Sequence, residues 1–81
     1  MEQYRCPCCG NLTLSEKPPG TFLICPVCFW EDDNVQFDDP EYEGGANEES
    51  LHAAQKNFRE IGASSKKYMR NVRKPRQEEL P

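Results

Sequence analysis

Two matched cysteine pairs constrain this chain more than anything else in it. The stretches CPCC (residues 6–9) and CPVC (residues 25–28) align Cys6 with Cys25, Pro7 with Pro26 and Cys9 with Cys28. Cys8 then falls opposite Val27, which ligates nothing. Fifteen residues separate Cys9 from Cys25, so the pattern is C-x2-C-x15-C-x2-C, within the spacing of a zinc site. In a Cys-x-x-Cys turn the two sulfurs converge on one point. Adjacent side chains diverge, so Cys8 and Cys9 are poorly placed to share a metal. The spacing predicts Cys6, Cys9, Cys25 and Cys28 as the ligands of one Zn2+ per chain. Four protein ligands make a closed, structural site, because a catalytic zinc keeps a position for water. A mononuclear iron takes the same ligands, and the sequence leaves the native metal open. A redox Cys-x-x-Cys of the thioredoxin kind belongs at a helix start in a βαβ unit, and none is readable here.

Size makes such a staple necessary. The chain has 81 residues, 36% hydrophobic and 30% charged, which is one small domain over residues 1–81 with little apolar surface to bury. Five cysteines is an odd number, and the first residues contain no apolar run of a secretory signal. The expected compartment is the cytoplasm, where thiols stay reduced and a disulfide framework is the weaker reading. No segment approaches transmembrane length, so no membrane role is expected. The formal net charge of −4 does not attract nucleic acid to the chain as a whole.

Along the chain, residues 4–30 read as a zinc ribbon. LTL (residues 12–14) and TFLI (residues 21–24) look like paired strands, with EKPPG as the turn between them. Gly10 suits a positive φ at the end of the first knuckle. Phe29 holds the equivalent place in the second, which implies either a different geometry or strain there. Residues 31–46 read as an acidic loop. Residues 47–61 read as a helix, with Asn47 as N-cap, an apolar face of Leu51, Ala54, Phe58 and Ile61, and Gly62 as the stop. Residues 64–74 are a candidate short second helix, capped by Ser64 or Ser65, and residues 75–81 read as a loose tail. The expected core is the metal site with Phe22, Ile24, Trp30, Leu51, Ala54, Phe58 and Ile61. The fold class is therefore small α+β: a four-cysteine zinc ribbon, a β-hairpin with two zinc knuckles, followed by one packed C-terminal helix.

Charge divides the chain. Residues 31–49 hold nine acidic residues and no Lys or Arg, while residues 66–76 hold six basic residues and no acidic ones. FWEDD, residues 29–33, has two readings. Its aromatics cover the metal site while its carboxylates face water, or Trp30, Glu31, Asp32 and Asp33 form a partner surface, Trp being enriched at binding hot spots. The carboxylates of the loop lack calcium-loop spacing. His52 reads as a surface or edge residue of the helix. Lys66, Lys67, Arg70, Arg73, Lys74 and Arg76 either fold back on the acidic loop, or solvate a helix end, or contact nucleic acid or an acidic protein. Cys8 is either a partly buried thiol with no role or a reactive thiol at a knuckle tip.

The blocks YRCPCCG, PPGTFLICPVCFWEDD and GGANEESLHAAQKNF, in that order, resemble the small bacterial cysteine-rich proteins of the CPCC domain family. The resemblance runs from Tyr4 to about Phe58 and weakly through VRKP, residues 72–75. It implies a bacterial source and a single unit that includes the helix, and it carries no reaction with it. The functional expectation is a non-enzymatic zinc-binding module that engages a protein partner. A nucleic-acid-binding ribbon using the basic segment is the alternative, and a thiol-redox or metal-handling protein is third. Oligomeric state is left open.

Overall fold

Each cysteine pair sits at the tip of its own hairpin. The computed structural model describes residues 3–81. Strand β1 (Tyr4–Arg5) pairs antiparallel with β2 (Leu12–Leu14), Tyr4 opposite Leu14 and Arg5 opposite Leu12, with an irregularity between. The first knuckle is the turn that joins them. The second knuckle is flanked by an antiparallel bridge between Ile24 and Glu31. The expected pairing of LTL with TFLI does not form. A Cys-x-x-Cys turn reverses the chain by itself, so the residues flanking it are already antiparallel neighbours. EKPPG becomes the link between two hairpins.

The acidic stretch is more ordered than a loop. Asp33 caps a five-residue helix, α1 (Asn34–Asp38), its Oδ1 accepting from Val35 N at 2.7 Å and Gln36 N at 3.3 Å. Its Oδ2 accepts from Ala46 N at 2.8 Å. Gly45 permits that approach, because a Cβ there would lie 2.7 Å from Asp33 Oδ2. Gln36 is fully buried. Its Nε2 donates to the carbonyls of Tyr42, Asn47 and Glu49, and its Oε1 accepts from Asn47.

The main helix, α2 (Leu51–Ile61), starts four residues later than expected. Ser50 caps it, accepting from Ala53 N at 3.1 Å, and Gly62 ends it in the left-handed region. Asn47 does something else. Its side chain pairs with the backbone of Glu31 as a neighbouring strand would, accepting from Glu31 N at 2.9 Å and donating to Glu31 O at 2.8 Å. The predicted face holds in part: Leu51 and Ala54 are buried, while Phe58 and Ile61 are half-buried. Two bonds tie α2 and its end to the ribbon. Gln55 Nε2 donates to Pro7 O at 3.0 Å, and Ser64 N donates to Cys28 O at 2.8 Å.

The core joins Cys6, Cys8, Cys25 and Cys28 to Leu14, Val27, Trp30, Leu51 and Ala54. Phe22 and Ile24 read as core residues in the sequence, but they are 53% and 48% exposed. Strand side chains alternate between faces, and here it is Leu23, between them, that packs inward. The second helix is reduced to a 3-10 turn, Lys66–Tyr68, capped by Ser65. The tail is not loose. A further 3-10 turn, Gln77–Glu79, brings Glu79 to Arg73 in a two-pronged pair of 2.8 Å bonds, and Glu79 is buried. No helix of the described residues is long and apolar enough to cross a membrane.

Candidate metal centre

The two knuckles repeat one another bond for bond. Gly10 N donates to Cys6 O and Phe29 N donates to Cys25 O, each at 2.8 Å. Cys6 N donates to Asn11 O at 2.9 Å, and Cys25 N donates to Trp30 O at 3.0 Å. Gly10 has φ 79° and Phe29 has φ 68°. The second knuckle therefore keeps the geometry of the first and imposes on Phe29 a backbone that costs a bulky L-residue about 1–2 kcal/mol.

This repetition aims four sulfurs at one point. The Sγ atoms of Cys6, Cys9, Cys25 and Cys28 all lie within 4.8 Å of one another. Cys6 and Cys28 approach to 3.6 Å, and Cys9 and Cys25 to 3.7 Å. A tetrahedral ion with Zn–S bonds of about 2.3 Å requires sulfurs about 3.8 Å apart, so the donor set fits zinc. All five cysteines are free of disulfides. Three of the four clustered sulfurs belong to buried residues and Cys9 is half-buried, leaving no broad face for solvent.

The electrostatics agree. The Cys25 thiol is pushed far down, first by its hydrogen bond with Cys28, then by those with Cys6 and Cys9. Thr13 adds to this with its hydroxyl 3.0 Å from Cys25 Sγ. Cys28 is pushed up, chiefly by its hydrogen bond with Cys25. Four thiols so close, three of them on buried residues, cannot all ionise without a cation among them. A divalent ion held by the four sulfurs would supply that charge in place of the shared protons. The Thr13 hydroxyl would then act from outside the ligand set, orienting the Cys25 sulfur and drawing off part of its charge.

Cys8 takes no part in the cluster. It is buried in the core beside Cys28, so it is not a knuckle-tip thiol open to solvent. The partner surface expected from FWEDD also changes. Trp30 and Asp32 are each 1% exposed, and Asp33 is buried as the α1 cap. Trp30 packs in the core. Asp32 Oδ2 accepts from Thr21 N and Thr21 Oγ1 at 3.0 and 2.7 Å. Only Glu31 of that group is partly open. These carboxylates are drawn inward by backbone N–H groups distant in sequence. Burial raises the Asp33 pKa, but three backbone donors outweigh it and hold the carboxyl below its usual range. One signal for its role is present in the sequence: Asp33-x-x-Gln36 has the spacing of a helix start.

The basic segment is partly used within the chain. Arg73 pairs with Glu79, and Lys67 reaches Glu48 at 2.6 Å, which realises a fold-back onto the acidic stretch at one point. Lys66, Arg70, Lys74 and Arg76 are exposed and make no ion pair among the described residues.

No curated protein matches the chain. The family described as cysteine-rich CPCC matches residues 4–79, from the first strand through both knuckles and α2 to the clasped tail. With nearly its whole length covered, the chain belongs to the cysteine-rich CPCC family.

Proposed function

We propose that this chain is a non-enzymatic module held together by one structural zinc ion, and that it presents a surface to a protein partner. One observation carries the first half: four sulfur donors within 4.8 Å of one another, two of their separations 3.6 and 3.7 Å, in a chain with a small core. Every ligand position is filled by protein, which suits folding rather than turnover of a substrate. Elemental analysis of the purified chain should give one zinc per chain. A mononuclear iron would announce itself by visible absorption. Absence of metal together with two disulfides by thiol titration would overturn the proposal.

The partner half rests on exposed aromatics in an acidic setting. Phe37 and Tyr42 are 42% and 44% exposed, with Asp38, Asp39, Glu41 and Glu43 around them in sequence. Their place as partner contact replaces that of the buried Trp30. The check is capture by the immobilised chain compared with a Phe37→Ser, Tyr42→Ser variant of equal zinc content. A partner that binds both equally would remove this surface.

The four unpaired cations support a second reading, contact with nucleic acid. Against it stand the nine acidic residues of 31–49, which repel the same strand. We expect only salt-sensitive binding, with Kd about 10⁻⁴ M or weaker at physiological salt. Micromolar binding to single-stranded RNA or duplex DNA, abolished by truncation after Ser65, would put this reading first.

A further inference from the structure

The two ends of α2 carry unlike surfaces. At the C-terminal end, Phe58, Ile61, Val72 and Pro75 line an open, mainly apolar groove of about 340 Å³, with Arg73 and Lys74 bringing positive charge to it. Glu79 occupies the Arg73 guanidinium, so Lys74 is the free cation of the two. The groove is at the small end of the about 300–1,000 Å³ range of ligand clefts, sized for one or two side chains.

At the N-terminal end lies the acidic aromatic segment. His52 N donates to Pro40 O at 3.0 Å, and the His52 ring meets the Glu41 carboxylate. Phe37 stands exposed at the end of α1, followed directly by Asp38 and Asp39. From His52 to Ile61 the helix rises about 14 Å. Segment and groove thus lie at opposite ends of α2 within one chain.

We infer that the groove is the docking site for the acidic aromatic segment of a second copy of this chain. The inference rests on the reading of the chain as a protein-binding module and names its partner. Phe37 enters the groove over Phe58 and Val72, and Asp38 and Asp39 face Lys74. What selects a second copy is complementarity of charge and polarity together. The groove needs an apolar side chain flanked by carboxylates, and every copy carries that sequence in exposed form. A nucleic acid would satisfy the cations and leave the apolar floor uncovered. Two copies with antiparallel α2 axes satisfy both contacts at once, the self-complementary arrangement of a twofold dimer. The net charge of −4 on each copy opposes association in every orientation, so the apolar and ionic contacts of groove and segment must outweigh it.

The test uses the full, zinc-loaded chain. Light scattering at low salt should show the mass rising with concentration from 9.3 kDa toward twice that value. Raising the salt to about 0.5 M shortens the Debye length to about 4 Å and should reverse the rise. Lys74→Glu loses the groove and Phe37→Ser loses the segment, so each alone should stay monomeric. Mixed together they retain one intact contact. Isotope-labelled Phe37→Ser chain should then show shifts at Phe58, Ile61 and Val72 on addition of unlabelled Lys74→Glu chain, and none on addition of more Phe37→Ser chain. A wild-type mass of 9.3 kDa throughout, a dimer indifferent to both substitutions, or a mixture without those shifts would each overturn the inference. Zinc content and amide dispersion are read on the same samples. Loss of self-association with one zinc per chain and Phe37-dependent capture intact removes this inference and leaves the module reading standing.

Discussion

The ring of Phe29 rests against the ring of Tyr68, centroids 4.8 Å apart and planes inclined by 49°. Phe29 holds this position with φ 68°, at the point where the first knuckle uses Gly10. The contact, worth about 0.5–1.5 kcal/mol beyond area burial, offsets a backbone cost of about 1–2 kcal/mol. It also anchors the turn that carries Lys67 toward Glu48.

That balance predicts an order of variants. Phe29→Ala keeps the strain and loses the ring. Phe29→Gly loses the ring and relieves the strain. Denaturant unfolding of the zinc-loaded chains should therefore place Phe29→Gly above Phe29→Ala by about 1–2 kcal/mol. The reverse order would mean that the second knuckle does not hold its left-handed residue in solution.

Gln36 gives a second prediction. Its amide answers three carbonyls and two donors of the segment around residues 42–49. Gln36→Leu has similar size and no polar atoms, so it leaves buried groups unpaired, each costing about 1–3 kcal/mol. We expect a loss of about 2–4 kcal/mol with zinc retained. The readouts are denaturant midpoint and zinc content, and hydrogen exchange should increase first in residues 42–49.

The cysteines separate cleanly by role. Cys6→Ala, Cys9→Ala, Cys25→Ala and Cys28→Ala should each lose stable zinc and amide dispersion, since structural zinc sites contribute about 10–16 kcal/mol on an apparent scale. Cys8→Ala should keep one zinc and the fold, at a cost of about 1 kcal/mol for a small buried side chain. Zinc loss in Cys8→Ala, or its retention in Cys9→Ala, would reassign the ligands.

Acid acts at two places. Arg73 first, then the backbone N–H of Arg76, holds the Glu79 carboxyl down at about 2. A carboxyl lowered in the folded state contributes stability that is full above its ordinary value of 4.5 and is lost as pH falls toward about 2. Protonation of the thiolates destabilises in the same direction. Glu79→Gln separates the two. It should lower Tm by a few degrees and speed exchange in residues 77–80. The gap from wild type should stay constant above pH 4.5 and narrow below it, at matched zinc content. A gap that widens in acid would contradict the assignment.

What is legible in the sequence is whatever depends on local spacing. The four sulfurs, the odd Cys8 and the span of α2 up to Gly62 follow from periods and turns that residues impose on their neighbours. What stays hidden depends on partners distant along the chain. Asn47 and Ser50 are equally good caps by type. Only the backbone of Glu31, sixteen residues away from Asn47, decides that Asn47 serves elsewhere. Asp32 and Asp33 read as solvated because their donors, Thr21 and Ala46, come from other segments. Phe22 and Ile24 read as interior because the apolar run Phe22, Leu23, Ile24 does not reveal which alternate set faces the core. Glu79 lies in a tail with no periodic signal, and an Arg six residues before it does not announce that the two will meet.

The bonds from Gln55 to Pro7 and from Ser64 to Cys28 lay one helix across both knuckles. On the proposed metal-dependent fold, loss of the ion should free both anchors together. Cellular proteases act on the open population, and that population should then follow metal occupancy. Turnover of this chain in its host should follow zinc supply: long-lived in replete cells and short-lived under chelation, as a pulse-chase measurement would show.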